Sequence, residues 1–145
     1  MKVVLQRVTN AKVEIKDKVV GKIDKGLLVL VGFTKNDTEE NIKWIVNKLV
    51  NLRIFDDENG IMNLSIKDVK GQILSVSQFT LYANAKKGNR PSYVEALKQE
   101  EATILYDKFN KELKETGINI ETGVFREDMK VSLTNDGPVT IIIEK

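Results

Sequence analysis

Leu27-Leu28-Val29-Leu30-Val31, which directly follows Gly26, is an unbroken apolar run between polar segments. A run of this length is typical of a strand that is covered on both of its faces. Upstream, Lys2–Val8 is mostly apolar, and the residues after it alternate between apolar and charged. Turns at Asp17-Lys18 and Asp24-Lys25-Gly26 would join these strands into a meander. The first third of the chain is therefore predicted to form a sheet.

Two amphipathic helices are predicted after the central strand. Asp37 is expected to cap the first helix, with Glu40 completing a capping box. The apolar stripe of this helix has helical spacing and consists of Ile42, Ile45, Val46, Leu49 and Val50. The second helix is predicted to end at Gly117, a suitable residue just past a helix C-terminus. Its apolar stripe consists of Ala102, Leu105, Tyr106, Phe109 and Leu113.

Further strand patterns complete the fold. They are Gln72–Phe79, Ile118–Thr122, Lys130–Leu133 and Val139–Ile143, with a turn at Asp56–Gly60. Strands at both ends of the chain and helices between them indicate an α+β fold. We expect a mostly antiparallel curved sheet, or barrel-like roll, with the two amphipathic helices packed against it. Residues 1–145 show no internal repeat or boundary and are expected to form a single domain.

The composition excludes several kinds of catalytic site. The chain has no cysteine and no histidine, which excludes disulfides, thiolate catalysis, His-ligated metals and a Ser-His-Asp triad. We expect neither a metal nor a cofactor. The net charge of +2 does not indicate an extended basic surface for nucleic acid. The early charges of the N-terminus do not fit a signal peptide, so we expect a cytoplasmic location and no membrane partner.

The segment Ser75–Leu81 allows two interpretations. As an alternating strand it would expose Ser77 and Thr80 and place Phe79 in the core. Alternatively, the polar side chains at this strand end belong to a functional site.

Two further segments are also ambiguous. Asn135–Thr140 has the composition of a turn that leads into an edge strand. However, a cis Gly137-Pro138 bond, which costs only about 0.5–1 kcal/mol, would direct two successive carbonyl oxygens the same way and could hold an ammonium group. A loop with Lys86, Lys87 and Arg90 is either a solvated connection or a contact for phosphate.

Taken together, these segments resemble the D-aminoacyl-tRNA deacylase family, also called D-tyrosyl-tRNA deacylases. The signature pair is Ser77-Gln78-Phe79-Thr80-Leu81 with Asn135-Asp136-Gly137-Pro138-Val139-Thr140. Other family-like segments follow in the expected order: Val4–Val8, Gly26–Val31, Arg53–Phe55, Met62–Leu64 and Gly88–Ser92. The resemblance covers essentially the whole chain, and its strength lies in the ordered set of segments.

The resemblance implies a homodimer with the active site at the subunit interface, where the cis Gly137-Pro138 pair of one subunit enters the pocket of the other. The implied substrate is aminoacyl-tRNA, bound at its 3′-terminal adenosine, and DNA is not an expected partner. The implied catalytic residues are Ser77, Gln78, Phe79 and Thr80, and the implied substrate-binding residues are Gly137, Pro138, Arg7, Phe125 and Met129. Arg7 matches the residue that orients the Gly-Pro carbonyls, and Phe125 and Met129 match positions near the adenosine. Arg126-Glu127-Asp128 departs from the small residues usual in the family.

These assignments lead to a mechanistic hypothesis. Backbone N–H groups around Phe79 and Thr80, with help from Gln78, would form an oxyanion hole. Because a threonine hydroxyl needs a base, we favour activation of water by the neighbouring ribose 2′-OH over Thr80 as nucleophile. Capture of the α-ammonium by main-chain carbonyls would admit D-amino acids and glycine and exclude L side chains.

Three other functions remain open on the sequence. A non-catalytic module that binds RNA ends could share the pocket, although the near-neutral charge disfavours it. An editing domain related to that of some threonyl-tRNA synthetases would remove a wrong L-amino acid instead. A purely structural interaction dimer would leave the polar strand end and the Gly-Pro segment without a purpose.

Overall fold

The computed structural model describes residues 1–145. Its elements in chain order are β1 (Lys2–Ile15), β2 (Lys18–Ile23), β3 (Gly26–Gly32), α1 (Glu39–Asn51), β4 (Phe55–Asp56), β5 (Met62–Leu64), β6 (Gln72–Ser77), a 3₁₀ helix (Phe79–Tyr82), α2 (Gln99–Glu115), β7 (Ile120–Thr122) and β8 (Lys130–Glu144). Neither α-helix is long and apolar enough to cross a bilayer.

Strand β1 is the organising strand of a six-stranded mixed sheet. One of its edges pairs antiparallel with β3 along Lys2–Val8 and with β2 along Ala11–Ile15. Its other edge pairs antiparallel with β8 along most of its length. β3 continues the sheet to β6 and then β7 through parallel pairings. Because β2 also approaches β6 and β7, the sheet curls into a nearly closed, barrel-like roll.

The predicted α+β class and barrel-like roll are confirmed, and the two parallel pairings have a simple cause. Parallel neighbours need a long crossover connection, usually through a helix. The chain passes through α1 between β3 and β6, and through α2 between β6 and β7. The short hairpin links between β1, β2 and β3 give antiparallel pairs instead.

The central strand β3 is buried on both faces, as its apolar run predicts. Leu27, Val29 and Val31 pack in a core of 21 buried residues that includes the α1 stripe and all of the α2 stripe except Leu105, which is partly buried against it. Leu28 points to the opposite face and joins a second cluster of seven buried residues inside the curl of the sheet. The sheet therefore has an inner and an outer apolar face.

The start of α1 differs from the prediction by one residue. Thr38, not Asp37, is the N-cap, and its hydroxyl accepts a hydrogen bond from the Asn41 N–H at 3.3 Å. In return, the Thr38 N–H donates to the side-chain oxygen of Asn41 at 2.8 Å. The capping box therefore uses Asn41 rather than Glu40. Asp37 instead accepts from the Thr34 N–H at 2.8 Å. The predicted α1 stripe is buried throughout, and Gly117 follows α2 with φ +82°.

Two strand predictions are corrected. β6 ends at Ser77 rather than Phe79, because the chain turns into the 3₁₀ helix after the Gln78 N–H bonds to the Val31 carbonyl at 2.7 Å. The tail strands predicted at Lys130–Leu133 and Val139–Ile143 are one continuous strand, β8. Asn135–Thr140 is therefore not a turn between strands. It contains a wide bulge, because Gln6 pairs with Thr140 whereas Val8 pairs with Asn135.

Candidate active site

A cleft of about 530 Å³ lies at the carboxyl end of β6. Its walls come from the strand end, the 3₁₀ helix, the start of α2 with the loop before it, and the segment Phe125–Met129. Five predicted site residues line this cleft together: Ser77, Gln78, Phe79, Phe125 and Met129. Thr80 lies beside them and accepts a hydrogen bond from Gln78 Nε2. The structure thus brings together both predicted halves of the pocket.

The turn into the 3₁₀ helix leaves two backbone donors without a partner in that helix. Its first hydrogen bond runs from the Leu81 N–H to the Gln78 carbonyl at 3.3 Å. The N–H groups of Phe79 and Thr80 precede this bond, so the helix itself supplies no acceptor for them. The 3₁₀ helix therefore makes no use of these two adjacent donors, which belong to residues directly after the end of β6.

Phe79 is an exposed ring, so its interpretation as a core residue is wrong. It is 57% exposed and contacts Tyr93 edge-on, with 5.2 Å between the ring centroids. The alternation that would bury it stops with the strand at Ser77. Both rings line the cleft. Tyr93 is a lining residue that the sequence analysis did not identify, although an aromatic residue next to a polar loop was a usable signal.

The opposite wall is built on a buried tyrosine. The ring of Phe125 lies 5.7 Å from that of Tyr106 in α2, and the Tyr106 hydroxyl donates to the Ser75 carbonyl at 2.9 Å. Burial raises the pKa of the Tyr106 phenol, so the group is a neutral donor. Gly123 leaves room for the Met129 side chain, since a Cβ at Gly123 would lie 2.6 Å from the Met129 sulfur. Sequence reasoning missed both Tyr106 and Gly123 as supports of this wall.

The unusual segment Arg126-Glu127-Asp128 also lines the cleft. Arg126 adopts φ +73° and its Nη2 donates to Gln99 Oε1 at 2.7 Å, which connects this segment to the start of α2. The departure from the family pattern therefore places charged side chains at the cleft.

The remaining predicted residues form a second group at the bulge between β1 and β8. Four residues, Asp136–Val139, stand opposite the single residue Arg7. Gly137 and Pro138 are exposed, and the bond between them is cis. The Asn135 side chain accepts from the Val139 N–H at 2.9 Å and closes the bulge. Neither Gly137 nor Pro138 lines the cleft of its own chain.

Arg7 is a buried residue whose side chain is hydrogen-bonded to this bulge. It is 6% exposed, and its Nη1 donates to the Ile54 carbonyl at 2.8 Å and to the Asp56 carboxylate at 3.1 Å. Its Nε donates to the carbonyl of Asp136 at 3.0 Å. The acceptor is thus the carbonyl of the residue directly before Gly137.

The charged groups of the chain do not form a metal site. No three carboxylate, histidine or cysteine side chains are close enough together to ligate an ion. Thr80 has an amide as its hydrogen-bond partner, and an amide is not a base that could take the hydroxyl proton. The chemistry that this cleft offers is therefore hydrogen-bond donation and positioning.

Comparison with known proteins gives one consistent result. The sequence profile described as D-Tyr-tRNA(Tyr) deacylase matches residues 4–144. A D-aminoacyl-tRNA deacylase of Flavobacterium psychrophilum is 58% identical over 145 residues, covering 99% of this chain and 97% of that protein.

Two solved structures resemble the whole chain. The c-Myc DNA Unwinding Element Binding Protein superposes with a TM-score of 0.94 at 40% identity, covering 100% of this chain and 99% of that one. A protein described as a probable eukaryotic D-amino acid tRNA deacylase superposes with a TM-score of 0.85, covering 98% and 97% of the two chains. Its identity is 18%, so this second likeness concerns the fold alone.

Proposed function

The chain belongs to the D-Tyr-tRNA(Tyr) deacylase family of hydrolases, and on that premise we propose that it cleaves the ester between a D-amino acid and the 3′-terminal adenosine of tRNA. The products are the free D-amino acid and tRNA. The observation that carries this proposal is the cleft at the end of β6, which has about 530 Å³ of space and adjoins two N–H groups that the 3₁₀ helix does not use. Pockets of about 300–1,000 Å³ are usual for small ligands, and a terminal aminoacyl-adenosine is of that class.

Stabilisation of the oxyanion is the main catalytic contribution that we assign to the protein. An aminoacyl ester is already activated, so attack by water needs chiefly a placed nucleophile and a stabilised tetrahedral intermediate. The Phe79 and Thr80 N–H groups are the donors that we assign to the developing negative oxygen, with the Gln78 amide close by. Each donor of this kind contributes about 2.7–4 kcal/mol to transition-state stabilisation.

Activation of the attacking water is assigned to the substrate. The cleft residues include no histidine, and the Thr80 hydroxyl bonds to an amide. We therefore assign proton transfer to the vicinal ribose 2′-OH, which would accept a proton from the attacking water and pass its own to the departing 3′ oxygen, with Thr80 positioning the water. Substrate with a 2′-deoxy terminal ribose and the ester on the 3′ oxygen should be nearly inert in a deacylation assay. Normal turnover of that substrate would return Thr80 to the role of nucleophile.

Recognition of handedness is assigned to the bulge of a second subunit. Gly137 and Pro138 are exposed, are held by Arg7 through Asp136, and lie outside their own cleft. In a homodimer the pair would enter the partner's cleft, where the main-chain carbonyl oxygens bind the α-ammonium of the substrate. A D side chain then points away from the backbone, whereas an L side chain meets it. Nothing in this arrangement selects the identity of the side chain, so glycine is accepted as well.

The decisive experiment is a deacylation assay on matched D-, L- and glycyl-tRNA. We expect cleavage of D-aminoacyl-tRNA and glycyl-tRNA, with L-aminoacyl-tRNA spared. Cleavage of L-seryl-tRNA with the D-aminoacyl ester left intact would identify an L-specific editing domain. Tight binding of tRNA without any hydrolysis would identify a binding module.

The setting of the reaction is part of the same proposal. Charged tRNA is a cytoplasmic substrate, and we place the enzyme there. We also propose that it acts without a metal or cofactor, which is supported by the scattered positions of its carboxylates. Activity should therefore persist after exhaustive treatment with EDTA.

A further inference from the structure

The segment between Phe79 and Tyr93 is a loop that leaves the cleft wall and returns to it. Both end residues line the cleft, and their rings are in contact. A pair of backbone hydrogen bonds between Asn84 and Ser92, at 2.8 and 2.9 Å, closes the base of the loop. The seven residues 85–91 beyond this pairing therefore project from the rim of the cleft as one unit, which we call the rim loop.

The rim loop carries only positive charge. It contains Lys86, Lys87 and Arg90, which are all exposed, and no acidic residue occurs between Asp68 and Glu95. These three side chains make none of the ion pairs of the structure, which use the N-terminus, Arg7 and lysines on other elements. In a chain whose net charge is only +2, this is a local concentration of unpaired cations.

The tip of the loop does not pack against the rest of the molecule. Gly88 turns with φ +66°, and a Cβ at this position would meet nothing within 4 Å. Three residues beyond the Asn84–Ser92 pairing reach at most on the order of 10 Å. The cations are therefore free to contact a ligand that extends out of the cleft, and only over a short distance.

We propose that the rim loop binds backbone phosphates of the tRNA 3′ strand, just before the terminal adenosine. This inference rests on the proposed function, which places that adenosine in the cleft. Phosphates are the groups that clusters of exposed lysine and arginine attract, with release of counterions. Such contacts are independent of base sequence, so they suit an enzyme whose substrates share only their 3′ end. They also provide RNA affinity without an extended basic surface.

The test compares two substrates that differ in their phosphates. One is full-length D-aminoacyl-tRNA, and the other is 3′-D-aminoacyl-adenosine, which has no backbone phosphate. The variant is Lys86→Ala/Lys87→Ala/Arg90→Ala. The matched control is Lys43→Ala/Lys48→Ala/Lys114→Ala, which removes the same charge from helix positions that do not line the cleft.

The rim-loop variant should raise the KM for D-aminoacyl-tRNA on the order of tenfold at about 0.1 M salt, with little change in kcat. The slope of log KM against log salt should fall by about 2, since three single-strand phosphate contacts contribute about 0.7 each. Cleavage of 3′-D-aminoacyl-adenosine and the behaviour of the control variant should match the wild type. Fluorescence anisotropy with uncharged tRNA should show the same weakening of binding.

Results that contradict the phosphate contact can be distinguished from results that contradict the proposed function. If wild-type enzyme cleaves D-aminoacyl-tRNA and the rim-loop variant shows an unchanged KM and salt slope, only the phosphate contact is wrong. An equal loss on both substrates would also overturn it, because the damage would lie in the cleft. If wild-type enzyme cleaves neither substrate, the proposed function itself fails.

Discussion

Arg7 is a buried guanidinium whose donors are used by acceptors from two distant parts of the chain. The Ile54 carbonyl and the Asp56 carboxylate hold it on one side, and the Asp136 carbonyl bonds to it on the other. A buried charge needs such partners, because leaving it unpaired costs several kcal/mol. The same bonds fix the backbone immediately before Gly137, so a side chain of the interior shapes an exposed segment.

Gly137→Ala tests this residue-scale arrangement. The backbone there has φ +127°, and an added Cβ would lie 2.9 Å from Val139 Cγ2 and 3.0 Å from Arg7 Nη2. The bulge must shift, so we expect deacylation of D-aminoacyl-tRNA to fall at least tenfold while circular dichroism remains that of a folded protein.

Gly60→Ala is the matched control, because Gly60 also has a positive φ, +74°, but open space around it. Its left-handed backbone should cost about 1–2 kcal/mol of stability and leave turnover unchanged. Full activity of Gly137→Ala would show that the bulge plays no part in recognition of the substrate.

At the scale of elements, the ends of helices and strands carry the features that periodicity does not specify. The 3₁₀ helix that follows β6 turns Phe79 outward and supplies no acceptor for the N–H groups of Phe79 and Thr80. α1 begins one residue later than its acidic start suggests, because Thr38 and Asn41 bond to each other's backbone N–H groups. A capping interaction depends on local backbone angles, and Thr38 has the extended angles of an N-cap, φ −121° and ψ 169°.

Thr38→Ala should therefore lower the free energy of unfolding by about 1 kcal/mol, the usual effect of removing an N-cap hydroxyl. Equilibrium unfolding in urea measures this change. Glu40→Gln serves as the control, because the predicted box partner is not the one used, and it should have a smaller effect. A larger loss in the Glu40 variant would support the original assignment of the capping box.

Tyr106 connects α2 to β6 through its bond to the Ser75 carbonyl. Tyr106→Phe should lower the free energy of unfolding by about 0.5–1.5 kcal/mol at neutral pH. Burial raises the pKa of this phenol above its ordinary value of 10.0, so its contribution is complete below pH 10 and is lost as the pH rises through the folded-state pKa.

The stability difference between wild type and Tyr106→Phe should accordingly shrink in urea unfolding above pH 10. If the stability difference between the two proteins stayed constant from neutral to strongly alkaline pH, the Tyr106 hydroxyl would not have the raised folded-state pKa. Tyr93→Phe is a control, because it removes the hydroxyl of a tyrosine that is half-exposed rather than buried. Its stability difference from wild type should not show the same decrease above pH 10.

At the scale of the whole molecule, the predicted site residues fall into two groups within one chain. The cleft group lies at the end of β6, and the bulge group lies between β1 and β8. A site that needs both groups is complete only if two copies of the chain combine them, as we propose. This arrangement predicts that two variants with damage in different groups can complement each other when their subunits combine in one dimer.

Mixing two variants that are each strongly impaired should restore activity. Gln78→Ala/Thr80→Val damages the cleft, and Gly137→Ala damages the bulge. In a mixed dimer one site combines both lesions and the other combines two intact groups, so random exchange should return about a quarter of the wild-type rate. Mixtures that remain inactive, although mass spectrometry shows subunit exchange, would place both groups in a site within one subunit.

Local sequence patterns were enough to predict most of the helices and strands and the faces that they bury. The run Leu27–Val31 and the two helical stripes specify burial through period and length, which are local properties. The family-like motifs also identified five of the residues that line the cleft: Ser77, Gln78 and Phe79 on one wall, and Phe125 and Met129 on the other. These predictions needed no knowledge of which segments meet.

Features that depend on pairing between distant residues could be established only from the folded chain. Asn135–Thr140 reads as a turn, yet its neighbours on both sides pair with β1, about 130 residues away, and this holds them in one bulged strand. The partner of Arg7 and the outward turn of Phe79 follow from the same kind of contact. Local composition reports what a segment prefers in isolation, whereas hydrogen bonds to a remote strand are set by the whole fold.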